Sequence, residues 1–72
     1  MNEIHMRKAY EIFKKGAEQM INSGVDSADV SAALVGVGAA LSLDHEGTEL
    51  TKKWLADISA KLAEGRPPVT IN

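Results

Sequence analysis

A chain of 72 residues and 7.7 kDa has room for one hydrophobic core, because either half alone would be too small to sustain its own. With 44% hydrophobic and 25% charged residues, the composition excludes both a disordered tail and a membrane-embedded protein. A net charge of −2 and a pI near 5.5 lack the positive excess of a small nucleic-acid or anionic-membrane binder. The absence of cysteine removes disulfides, thiol redox chemistry and Cys-ligated metal sites, so the cytoplasm is the expected compartment.

Met1 to Tyr10 alternates charged and apolar side chains, without the continuous apolar core of a signal peptide. A first helix is expected from Asn2 to about Ser23. When residues are placed at 100° intervals, Met6, Ala9, Tyr10, Phe13, Ala17, Met20 and Ile21 fall within an arc of about 120°. Arg7/Glu11, Glu11/Lys15 and Lys14/Glu18 lie four apart on the other side, the spacing of supporting ion pairs. Asn2 is the expected N-cap and Gly24 the residue that closes the helix. Gly16 weakens the middle unless another backbone comes close.

A second helix is expected over 27–43, with Asp26 as its N-cap, Asp29 in its first turn and Val25 stapled onto Val30. Its uncharged run, Val30 to Leu43, is 14 residues long. That is shorter than the roughly 20 residues of a bilayer span and predicts a buried helix, with no membrane partner. Val30, Leu34, Val37 and Leu41 form a face of large side chains, while Ala32, Ala33, Gly36, Ala39 and Ala40 form a nearly opposite face of small ones. Ser27, Ser31, Gly38 and Ser42 fill the narrow polar strip that remains. A helix apolar on both flanks needs neighbours on both. One arrangement has the other two helices clasp it within a monomer. The favoured one covers the large face from within the chain and pairs the small face, Ala32, Ala33, Gly36, Ala39, Ala40 and Leu43, with a second copy, because a core this small is marginal alone.

Asp44-His45-Glu46-Gly47-Thr48 interrupts the pattern with turn-forming residues. A third helix over 47–64 is then expected to carry Leu50, Trp54, Leu55, Ile58 and Leu62 on one face, capped by Asp44 or Thr48. Gly65 and Pro67-Pro68 stop it. The expected organisation is a three-helix domain over 1–65 and a short tail over 66–72.

His45, with Asp44, Glu46 and Glu49, has the spacing of an imidazole and carboxylate on one helix turn, but the second histidine of a metalloprotease helix and any distant ligands are missing, so neither metal nor cofactor is expected. The serines lack a histidine-carboxylate set. Gly36-Val37-Gly38-Ala39-Ala40-Leu41 resembles a glycine-rich phosphate loop only in outline, since no strand precedes it and no lysine follows; close helix packing explains its glycines better. A helix-turn-helix reading places helix two or three in a DNA groove. However, Val25 to Glu49 contains Asp26, Asp29, Asp44, Glu46 and Glu49 and no Lys or Arg, and helix three offers Lys52, Lys53 and Lys61 but few base-reading side chains.

Tyr10 and Trp54 are the aromatic residues suited to anchoring a protein partner, and Asp44, Glu46 and Glu49 form the acidic surface that would meet a basic one. The sequence therefore predicts an all-α, three-helix domain packed as a homodimer. Its expected role is a non-enzymatic cytosolic interaction module, an adaptor, regulator or inhibitor acting on another protein. The alternative is a dimeric DNA-associated transcriptional regulator that presents the lysines of helices one and three to phosphates.

Overall fold

The computed structural model describes residues 3–68, which form α1 (Glu3–Asn22), α2 (Ser27–Glu46) and α3 (Thr48–Ala63) and contain no strand. The chain divides within α2 into two compact units, the first ending at Val35 and the second starting at Gly36.

In the first unit, α1 follows its apolar periodicity. Met6, Ala9 and Ala17 on the expected stripe are half-buried, as is Gly16 beside it, whereas Tyr10, Phe13, Met20 and Ile21 on the same stripe remain exposed. The chain leaves α1 through a hydrogen-bonded reversal. Gly24 N–H donates to Ile21 O at 3.1 Å and Val25 N–H to Met20 O at 3.0 Å, which satisfies two carbonyls that the last turn would otherwise leave open. Asp26 then caps α2 as its position predicts, its Oδ1 accepting from Ala28 N–H at 2.7 Å. Val30, 6% exposed, is the only buried hydrophobic side chain among the described residues. The α1 charges do not close into the expected i,i+4 ion pairs; Lys14 Nζ instead lies 5.9 Å from the centre of the Tyr10 ring. The proposed Asn2 cap lies outside the described residues.

In the second unit, α2 runs three residues beyond its expected end, because Asp44, His45 and Glu46 continue the helix instead of forming a turn. Gly47 alone separates α2 from α3. Its N–H donates to Leu43 O at 3.2 Å, closing α2, and its carbonyl accepts from Thr51 N–H at 3.2 Å, opening α3. Gly47 does this at φ 88°, ψ 172°, a backbone region open essentially to glycine alone. Neither Asp44 nor Thr48 caps α3: the N-cap is Gly47, with no side-chain hydrogen bond. At its other end, Gly65 N–H donates to Leu62 O at 3.0 Å and Arg66 N–H to Lys61 O at 2.8 Å, before the prolines.

Two features join α2 to α3. Thr51, 3% exposed, donates its hydroxyl to Gly47 O at 2.8 Å, and its Oγ1 lies 2.6 Å from Ser42 Oγ. Since the single Thr51 hydroxyl proton is committed to Gly47 O, Ser42 is the donor of the second bond. One turn back along α2, a Cβ placed on Gly38 would lie 3.5 Å from Trp54 Cη2, so the indole packs against the α2 backbone where a side chain is missing. Leu55, Ile58 and the stem of Lys61 are half-buried on α3. Lys61 Nζ is 3.0 Å from Asp57 Oδ2.

Candidate interaction surface

The α2 strip that α3 covers is the one read from sequence as polar, namely Gly38 and Ser42. Small side chains there admit the Trp54 ring, and the Ser42 hydroxyl finds its partner in Thr51, so the strip is buried at no cost in unpaired polar groups. The consequence falls on the flanks. The large-residue face was expected to be covered from within the chain. Among its members only Val30 is, while Leu34 is exposed, Val37 retains 60% of its surface and Leu41 53%.

The small-residue face is also open. Ala32, Ala33, Gly36, Ala40 and Leu43 are exposed, and only Ala39 is half-buried. A Cβ on Gly36 would meet nothing within 4 Å, so no packing within the chain requires a glycine there. α2 thus lacks a single apolar side, its hydrophobic residues being spread around the cylinder. By length and composition α2 is a helix long and apolar enough to cross a membrane, a test that soluble core helices also pass. The uncharged run alone is shorter than the helix that contains it.

The residues proposed for a protein partner fall in both units. Tyr10 is exposed on α1 beneath Lys14. Trp54 is 38% exposed on α3, one edge of its ring being used against Gly38. Asp44 and Glu46 occupy the last turn of α2 and Glu49 the first turn of α3, all exposed. Glu49 makes a 3.8 Å contact with Lys52, with both side chains largely in water, an arrangement of little energetic weight.

This placement corrects the expected position of Asp44 and Glu46. They were expected in the turn before the third helix, with Asp44 a candidate cap; they sit instead in the last turn of α2, where the helix dipole opposes a carboxylate. The break at Gly47 also puts His45 and Glu49 on different helices, so the premise of a shared helix turn for metal binding is lost. Among the described residues no group of three or more His, Asp or Glu side chains converges as a metal set.

Thr51 is the buried residue that sequence reasoning missed. It lies in the middle of the α3 stripe, between the directions of Leu55 and Ile58, and that position was the available signal. No protein-family description, curated protein or solved structure matches this chain.

Proposed function

We propose that this chain is a non-enzymatic interaction module of the cytosol that works as a homodimer and presents Tyr10, Trp54, Asp44, Glu46 and Glu49 to a second protein. The observation that supports it is the uncovered state of α2: Leu34, Val37 and Leu41 on one flank and Ala32, Ala33, Gly36, Ala40 and Leu43 on the other are exposed to water. Complete burial of a Val or Leu side chain is worth about 1.5–3 kcal/mol, so covering either flank offers a substantial part of the stability of a small domain. Exposed apolar residues continuous along one helix are the usual mark of a contact surface.

Self-association of this kind links folding to concentration, because a species that forms only between folded copies stabilises them by mass action. Thermal unfolding followed by circular dichroism over a hundredfold range of protein concentration tests the proposal. The midpoint rises with concentration if copies associate, and an invariant midpoint refutes the homodimer.

A further inference from the structure

We infer that Gly47 is a hinge between two states of the second unit. One is the observed hairpin, in which the Ser42–Thr51 and Gly38–Trp54 contacts fold α3 back along α2. The other is a straight rod whose α3 packs on the α2 of a second copy, which gives its own α3 in exchange. The inference goes beyond the homodimer proposed above, since it needs neither flank of α2 to be covered. The surface that joins the copies is the Gly38 and Ser42 strip, whose occupant is α3 in both states.

A single residue separates the helices, and it is already bonded in helical register on both sides. Gly47 N–H donates to Leu43 O and Gly47 O accepts from Thr51 N–H, each pair four residues apart. Its angles, φ 88° and ψ 172°, turn the chain. Rotation of Gly47 to helical angles brings the N–H groups of Thr48, Glu49 and Leu50 to the carbonyls of Asp44, His45 and Glu46, groups that a helix start and a helix end leave without intrahelical partners. It also moves Asp44 and Glu46 from a helix end, whose dipole opposes them, to a helix interior. From Gly36 to Ala63 the rod is about 40 Å long.

Straightening alone strips the chain of its packing. Thr51 keeps its bond to Gly47 O, which lies in helical register, but loses Ser42, and the Trp54 indole loses its place against Gly38. An identical α2 supplies both partners, so two copies related by a two-fold axis regain the contacts each gave up. Opposing the rod are the poor helix propensity of Gly47 and the like charges of Glu46 and Glu49, three apart in a merged helix. The hairpin is therefore the form of the dilute chain, and rising concentration draws out the exchanged dimer by mass action.

The test introduces two cysteines at exposed positions, Ala40 on α2 and Ala56 on α3, in a chain that has none of its own. Spin labels on A40C/A56C, diluted into excess unlabelled chain, report the distance within one chain, while sedimentation equilibrium gives the mass. A straight helix sets these two backbone positions about 24 Å apart. The hairpin, with Trp54 against Gly38, holds them well inside that distance. The expected result is a short distance at low concentration and a long component that grows together with dimer mass. Gly47→Ala, which favours the merged helix, raises the exchanged fraction at a given concentration by about tenfold or more; in dilution the same variant is only a weakened hairpin. A D-alanine in place of Gly47, introduced by chemical synthesis, suits angles that mirror the extended region of L residues and opposes a right-handed helix, so it abolishes the long component.

A short distance alone at every concentration, in the parent or in Gly47→Ala, overturns the exchange; found together with dimer mass, it leaves the homodimer standing with α3 on its own chain. A long distance at the mass of one chain is opening without exchange and overturns it too. An exchanged fraction no larger in Gly47→Ala than in the parent, or one that persists with D-alanine, overturns the role of Gly47. If the labelled chain loses helicity by circular dichroism, S42C and T51C are mixed as separate chains and oxidised. Residues 42 and 51 of different chains meet in the exchanged dimer, so a mixed disulfide is expected, and its absence overturns the exchange.

Discussion

Gly47 keeps α2 and α3 as two helices, and the reason is conformational, not steric. A Cβ at this position would meet nothing within 4 Å, yet its backbone angles lie where side-chain-bearing residues rarely go. Gly47→Ala should therefore lower the unfolding free energy by about 1–3 kcal/mol in urea titration, and an unchanged midpoint would mean the joint relaxes freely. Gly36 gives the opposite expectation: it is interior to α2, with open space where a methyl group would stand. Gly36→Ala should raise stability by about 1 kcal/mol through helix propensity, and a loss would reveal a close contact on that face. At the end of α2, Glu46→Lys replaces a carboxylate that opposes the helix dipole with a cation that it favours. The same titration at low salt should register a gain of about 0.3–1 kcal/mol, reduced by added salt.

At the scale of elements, α2 and α3 are joined as much by hydroxyls as by apolar contact. Thr51→Val keeps the shape of the side chain but leaves Ser42 without its acceptor and Gly47 O with only the backbone N–H of residue 51 as its donor. The variant should lose about 1–3 kcal/mol of stability in urea titration, whereas a purely apolar contact would be indifferent to it or gain from it. The same pair shows what was legible beforehand. Helix positions followed from periodicity, and Gly24, Asp26 and Gly65 marked ends that the hydrogen bonds reproduce. The reach of α2 through Asp44, His45 and Glu46 was hidden because polar residues read as a turn until the conformation of Gly47 locates the break. Thr51 was passed over because burial was sought among apolar residues, while a hydroxyl with two partners is buried just as readily.

At the scale of the whole molecule, the apolar excess of α2 was visible in the sequence, but the face that would stay uncovered was not. Which strip α3 takes depends on the Gly38–Trp54 fit and the Ser42–Thr51 bond, both set by pairing across helices that a one-dimensional pattern does not specify. Those contacts use the least apolar part of α2 and leave its Leu and Val side chains beyond Val30 in water. That allocation is what supports the proposal that the protein self-associates.

Its most direct test is the mass of the unmodified chain by sedimentation equilibrium across a wide span of dilution. The account predicts twice the 7.7 kDa chain mass at the concentrated end, with reversible dissociation on dilution. A folded, helical species that holds the mass of one chain throughout would contradict it.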